Sequence, residues 1–256
     1  MKILRKGDHG TAVEEMSRLL VGVSLRDTVS DVFDDDMEMA LKAWQVHGID
    51  ARGRKLKVDG VFGPRTLESF SVSGNDHLDF TPLPDDLSDF RPSESALRNQ
   101  ALNFAIRELR AGAEEVGGNN QGPFVEKYHR TAKASERQWA WCAAFTSWCF
   151  KQASDLLGVD MPFGYTGGAQ RLFRDLKRQG KTFTLGECEP RAGDVIVWWR
   201  GATRTWKGHV GIVWGYANET LYVIEGNVGR YPARVRMFSY DLTDGELAKL
   251  IGFGRP

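Results

Sequence analysis

Apolar residues in the first 70 positions recur every three or four residues, which is the spacing of one helix face. The first stripe is Val13, Met16, Leu19 and Leu20, and the second is Met37, Leu41 and Trp44. A third helix is predicted to begin at Pro64 and to run through Leu67 and Phe70, because proline is favoured in the first helical turn. Residues 1–72 are therefore predicted to form a small three-helix domain.

The stretch 73–95 has a different composition. It contains three prolines, and it has six acidic residues against one arginine. Prolines and mutually repelling carboxylates favour an extended tether over a packed core. We predict that 73–95 is a linker and that 96–256 is a second domain.

The second domain changes from a helical to a strand pattern along its length. Apolar stripes predict helices from about residue 95, from about Cys142, and up to Gly180, where glycine favours a helix end. Segments rich in valine, isoleucine, tryptophan and tyrosine then predict strands at 194–199, 209–214, 220–225, 235–238 and 250–253. Helices followed by strands indicate an α+β fold with an antiparallel sheet.

Composition narrows the classes of function. The 256 residues carry a formal net charge of +0, which argues against a nucleic-acid binder that relies on a broad basic face. No apolar stretch approaches the length of a membrane span, and the first six residues do not resemble a signal peptide. We expect a monomer that is made in the cytoplasm without a signal peptide.

Cysteine and histidine usage indicates neither a disulfide framework nor a metal site. Three cysteines (Cys142, Cys149 and Cys188) are too few for a framework and suit a reducing compartment. The five histidines and the cysteines lack the close spacing of zinc ligands. No metal and no cofactor are expected.

Three segments carry groups suited to acyl transfer. Cys142 is placed at a helix start, where the helix dipole and unpaired N–H groups stabilise a thiolate and an oxyanion, although a small core residue is the alternative interpretation. His209, at a strand start, could act as the base, and a histidine satisfied at a strand end is the alternative. Either Glu225 or Asn227, two positions apart where a predicted strand runs into a glycine-rich turn, could orient the imidazole.

Residues 96–256 resemble the CHAP family of cysteine, histidine-dependent amidohydrolases and peptidases, a branch of the papain-like enzymes. The stretches that carry the resemblance are 141–145 (WCAAF), 190–195 (PRAGDV), 208–213 (GHVGIV) and 225–227 (EGN). The resemblance implies a papain-like α+β fold, peptidoglycan as substrate, Cys142 as nucleophile and His209 as base. It implies Glu225 and Asn227 as the polar groups behind the histidine.

The CHAP resemblance does not by itself identify the second oxyanion donor or the residues that contact the substrate. Many CHAP enzymes have glutamine before the cysteine, where this chain has Trp141, so Gln138 is the nearest candidate for the second oxyanion donor. Most tryptophans of the second domain are expected in its core. Trp139 and Trp206 flank the catalytic segments and are predicted to contact glycan or stem peptide.

Residues 4–70 resemble the three-helix peptidoglycan-binding domain of many wall hydrolases. The matching stretches are 4–13 (LRKGDHGTAV), 43–45 (AWQ) and 58–67 (VDGVFGPRTL). The combined resemblance implies a peptidoglycan hydrolase of the endolysin type. N-acetylmuramoyl-L-alanine amidase activity is slightly favoured over endopeptidase activity on the stem peptide or cross-link.

Two other classes of protein fit parts of the sequence pattern. A non-catalytic wall-binding protein, and a cysteine protease or transferase that acts on proteins, would share parts of the pattern. We expect a protein that acts on the cell wall after release during phage lysis or after delivery as an effector.

Overall fold

The computed structural model describes residues 3–22, 25–26, 28–72, 93–132, 139–217, 219–242 and 245–256. Its helices are α1 (Thr11–Gly22), α2 (Asp35–His47), α3 (Pro64–Ser69), α4 (Ala96–Arg110), α5 (Pro123–Thr131), α6 (Cys142–Leu157) and α7 (Ala169–Arg178), with a 3-10 turn at Gly245–Lys249. Its strands are β1 (Thr182–Phe183), β2 (Val195–Trp199), β3 (Gly208–Ala217), β4 (Thr220–Val228), β5 (Arg234–Asp241) and β6 (Leu250–Gly254).

Helices α1 to α3 enclose their own apolar cluster. Its buried members are Leu4, Val13, Met16, Leu20, Phe33, Met37, Ala40, Leu41 and Phe62. The Asp59-Gly60 turn before α3 is held by Gln45, whose Oε1 accepts from both backbone N–H groups of the turn at 3.1 and 2.9 Å. Because Gly60 has a φ of +71°, glycine suits this turn.

The predicted linker 73–95 lies largely outside the described residues. Its last three positions are described and form the entrance to α4. Ser95 is the N-cap of that helix, and its hydroxyl accepts from the backbone N–H of Arg98 at 3.3 Å. Such a cap satisfies one of the unpaired donors of the first turn.

The strands form an antiparallel sheet in the order β1-β6-β2-β3-β4-β5. Helices α4, α6 and α7 pack against it, and the shared apolar cluster joins residues of these helices to β2, β3 and β4. The predicted α+β class with an antiparallel sheet is confirmed. Within the described residues, no helix has both the length and the apolar character that a membrane crossing requires.

Asp194, the acidic residue of the 190–195 stretch, joins three distant parts of the fold. It is fully buried and accepts hydrogen bonds from Arg98 Nη1 on α4 at 2.6 Å and from Arg255 Nη2 at 2.8 Å. Arg255 Nε also donates to both carboxylate oxygens at 3.1 and 3.2 Å, and the backbone N–H of Arg191 donates to Oδ2 at 2.9 Å. The Asp194 carboxylate therefore connects α4 and the segment after β6 to the start of β2.

Replacing Asp194 by asparagine should destabilise the protein by about 3–5 kcal/mol, because Arg98 would keep a buried charge without its partner. Urea unfolding followed by circular dichroism measures the change. Asp155→Asn, which removes an exposed carboxylate paired with Lys151, is the control and should have a much smaller effect. Equal midpoints for the two variants would contradict this role of Asp194.

Candidate active site

Cys142 is the first residue of α6, as the sequence predicts. Trp141 precedes it as the N-cap and supplies no side-chain hydrogen bond to the helix start. The first-turn N–H groups are therefore not capped by that side chain, and they lie at the positive end of the helix dipole. The thiol is nearly buried, with 3% of the residue exposed. Its position suits a stabilised thiolate.

His209 is the second residue of β3, and its Nε2 lies 2.8 Å from Oε2 of Glu225 on β4. Its Nδ1 is buried and has no hydrogen-bond partner of regular geometry in the described part of the chain. Nδ1 is thus the ring nitrogen left for the thiol of Cys142. Catalytic hydrogen bonds are often long before substrate binds.

Two glycines make room for this arrangement. Gly211 lies opposite Glu225 in the β3–β4 register, and a Cβ there would lie 2.8 Å from Cγ of Glu225. A Cβ at Gly226 would lie 2.8 Å from Cζ3 of Trp141 and 2.9 Å from Cβ of Phe145. The glycines therefore let the Glu225 side chain lie across β3 and let the start of α6 approach β4.

Glu225 has a second partner that sequence reasoning missed. The hydroxyl of Tyr240 on β5 donates to Oε1 of Glu225 at 2.7 Å, while Oε2 bonds the imidazole. Only 2% of Glu225 is exposed. A buried carboxylate with both oxygens bonded has little freedom to rotate, so it fixes the orientation of the His209 ring.

Asn227, the other predicted orienting residue, lies in an irregular part of β4, whereas Glu225 precedes the irregularity. The β4–β5 register shifts between Glu225 and Val228, and Asn227 has a φ of +60°. The chain is not regularly extended there, so strand alternation does not place the two side chains together. The backbone carbonyl of Asn227 accepts from Arg200 Nη2 at 3.4 Å. Among the described residues, the carboxylate bonded to the imidazole belongs to Glu225.

The thiol and the imidazole shift each other's proton affinity. Burial raises the pKa of Cys142, but the charge and close approach of His209 outweigh it, with smaller contributions from Arg200 and the Val210 backbone, so the pKa lies below its ordinary value. Burial lowers the pKa of His209, but the Cys142 thiolate and then Glu225 raise it well above its ordinary value. Both shifts favour a thiolate–imidazolium pair.

The predicted substrate contacts differ in exposure. Trp206 is 83% exposed, with the Lys207 ammonium 5.9 Å from its ring centroid, and Trp139 is 50% exposed. The carbonyl of Trp139 lies 2.9 Å from Nε2 of the buried His129. Both tryptophans are therefore accessible to a ligand, and Gln138 lies outside the described residues.

Trp141, which stands before the nucleophile, belongs to the core. It is fully buried and stacks on Tyr128 with ring centroids 5.5 Å apart. Its indole N–H donates to Oε1 of Glu115 at 3.1 Å, and Oε2 of Glu115 accepts from the backbone N–H of Ala233 at 2.9 Å. Glu115 is a second residue that the sequence pattern did not indicate, and it anchors the residue next to Cys142.

The arrangement combines a thiolate, an imidazole and an orienting carboxylate at a helix N-terminus. These are the parts needed for nucleophilic attack on a carbonyl and for proton transfer to the leaving group. Within the described residues, histidine, cysteine and acidic side chains form no group of three that could hold a metal ion. The thiol, the imidazole and the carboxylate together suit acyl transfer through a cysteine.

Residues 133–227 match the family model described as the CHAP domain. Cys142, His209, Glu225 and Asn227 all lie within the matched segment. The match agrees with the CHAP resemblance of the sequence motifs over this segment, and the roles of the four residues stay a prediction.

Solved structures that are similar to the chain include two of Ly7917. The crystal structure of Ly7917 is 20% identical with a TM-score of 0.38, and that of Ly7917 with the hydrolyzing product of MDP is 19% identical with a TM-score of 0.38. Each match covers 62% of this chain and 62% of the other chain, so the chain spans less than two thirds of the length of these proteins. No curated protein matches the chain.

Proposed function

We propose that the protein is a cysteine-dependent peptidoglycan hydrolase that cleaves an amide bond of the bacterial cell wall. The observation that carries this proposal is the array of Cys142, His209 and Glu225 inside the CHAP domain, with the cysteine at a helix start. Peptidoglycan as substrate follows from the CHAP resemblance. The exposed Trp139 and Trp206 are proposed to contact the glycan or the stem peptide.

The reaction would proceed by two acyl transfers. The Cys142 thiolate attacks the amide carbon, and the first-turn N–H groups of α6 stabilise the oxyanion. The C–N bond breaks as the His209 imidazolium gives its proton to the departing amine, which leaves a thioester. His209 then takes a proton from water, the hydroxide attacks the thioester, and the carboxylic acid and the thiol are released.

The finer assignments are part of the proposal. Cleavage between the lactyl group and L-alanine, the amidase reaction, is slightly favoured, and cleavage in the stem peptide or cross-link is the alternative. Residues 1–72 are proposed to bind peptidoglycan and to raise the local concentration of the catalytic domain at the wall. Phage lysis and delivery as an effector are both compatible settings.

Mass spectrometry of fragments released from purified sacculi tests the proposal. The wild type and Cys188→Ser, which changes a cysteine that contacts Arg255, should release the same fragments, and Cys142→Ala should release none. New amine and carboxyl ends identify the bond that is cut. If sacculi of several chemotypes yield no fragments with the wild type, the hydrolase proposal fails and a non-catalytic wall-binding role becomes the better interpretation.

A further inference from the structure

Arg200 directly follows β2 and lies beside the strand end that carries His209. The β2–β3 register pairs Trp198 with His209 and Trp199 with Gly208. The backbone N–H of Arg200 continues this pairing by donating to the carbonyl of Lys207 at 3.2 Å. The backbone of Arg200 is therefore fixed two residues beyond the position opposite the base.

The Arg200 side chain extends toward the neighbouring segment of the site. Its Nη2 donates to the backbone carbonyl of Asn227 at 3.4 Å, two residues after Glu225. Arg200 is exposed, and no described carboxylate forms an ion pair with it. A carbonyl holds the guanidinium in place without neutralising it, so its charge and remaining donors are available to a ligand.

The positive charge of Arg200 favours the thiolate form of Cys142. Burial raises the pKa of Cys142 and His209 lowers it most strongly, and Arg200 adds to that lowering through its positive charge. The interaction requires the guanidinium to lie within Coulombic reach of the sulfur. Geometry and electrostatics thus place an unpaired cation at the edge of the reaction centre.

We infer that Arg200 is a substrate-binding residue that pairs with a carboxylate next to the scissile amide. Guanidinium binds carboxylate with two parallel N–H donors, which gives directional as well as electrostatic selectivity. The inference deepens the proposed function, on which it rests, because the stem peptides of peptidoglycan carry free carboxylates beside their amide bonds. The preferred substrate is then an anionic stem peptide, and a peptide with that carboxylate amidated is a poorer one.

Alkylation of Cys142 tests the inference without any wall substrate. Iodoacetate and iodoacetamide react in the same way: the thiolate sulfur bonds the methylene carbon and iodide leaves. The two reagents differ in carrying a carboxylate or a neutral amide. The ratio of their rates, measured by mass spectrometry of the Cys142 peptide, reports attraction of a carboxylate and cancels any change in thiol pKa.

Arg200→Gln should lower the iodoacetate-to-iodoacetamide rate ratio by about fivefold or more, because a charge-assisted contact is lost. Arg200→Lys keeps the charge and should retain most of the ratio. Arg204→Gln, an equal charge change in the same exposed loop, is the matched control and should leave the ratio unchanged. An unaltered ratio in Arg200→Gln, or an equal fall in Arg204→Gln, would overturn the inference.

A second measurement tests whether Arg200 recognises a carboxylate of the substrate during the reaction. Stem-peptide substrates with a free or an amidated carboxylate are compared by kcat/KM. The wild type should prefer the free acid by about fivefold or more, and Arg200→Gln should lose that preference. An equal preference in the variant would overturn the inference. If no wall substrate is cleaved but the alkylation ratio falls as expected, the proposed function fails and the carboxylate site stands.

Discussion

Alanine at either Cys142 or His209 should reduce hydrolysis of the wall amide by about 10⁴- to 10⁶-fold, and alanine at both should reduce it no further. The nucleophile and the base act as one unit, because the thiol becomes reactive only when the imidazole accepts its proton. Once either is lost, the other has no step to assist. The residual rate would reflect substrate binding and the N–H groups of α6.

Rates of fragment release from sacculi, measured for the two single variants and the double variant, check this prediction. Cys149→Ala is the matched cysteine control; it lies two helical turns along α6 and is not part of the array. Its specific activity per folded molecule should stay near that of the wild type. A double variant much slower than both single variants would show that the two residues act independently.

The same pair determines the expected pH dependence. The active thiolate–imidazolium form exists above the lowered pKa of Cys142 and below the raised pKa of His209, which lies at about 10. Activity should therefore rise with pH through a value below 9.0, the ordinary thiol pKa, and fall as the imidazolium loses its proton. In His209→Ala, burial remains while the imidazolium is gone, so the pKa of the Cys142 thiol should rise above 9.0. The rate at which iodoacetamide alkylates Cys142, measured as a function of pH, reports this pKa. An unchanged alkylation profile in that variant would contradict the pairing.

Local features of the site follow from the sequence. The helix start at Cys142 and the strand that carries His209 depend on apolar periodicity and turn chemistry within a few residues. The observed α6 begins at Cys142, and β3 begins one residue before His209. The α+β class follows for the same reason, because it needs only the order of helices and strands.

Partnerships between distant segments do not follow from such patterns. Asp194 meets Arg98 and Arg255 across separations of 96 and 61 residues, and Tyr240 meets Glu225 only through the pairing of β4 with β5. Helix α5 was also not indicated, because its nine residues mix buried apolar positions with charged ones and are too short for a clear stripe. Such features depend on tertiary packing.

The ambiguity between Glu225 and Asn227 has a similar origin. Alternation along a regular strand predicts that both side chains point the same way. The bulge after Glu225 and the left-handed conformation of Asn227 break this alternation. Asparagine tolerates that conformation better than most residues, so a backbone role can account for its presence without a bond to the imidazole.

Replacing Glu225 by glutamine should lower kcat by about 10²- to 10⁴-fold with little change in KM. Glutamine keeps the shape of the side chain but removes the charge that stabilises the imidazolium. If the glutamine amide nitrogen faces His209, the ring proton moves to Nδ1, and this nitrogen can then no longer accept the proton of Cys142.

Tyr240→Phe removes only one hydrogen bond from the carboxylate and should lower kcat by about fivefold.

Asn227→Gly is the variant that separates the two candidates. Glycine adopts the φ of +60° at this position without strain, so the substitution removes the side chain while preserving the path of the backbone. If Glu225 orients the imidazole, Asn227→Gly should keep kcat within about tenfold of the wild type, while Glu225→Gln loses far more. Steady-state kinetics on a soluble wall fragment provides the comparison. A larger kcat loss in Asn227→Gly than in Glu225→Gln would assign the orienting role to Asn227, because the hydrogen bond seen from Glu225 would then not be the one that controls the base.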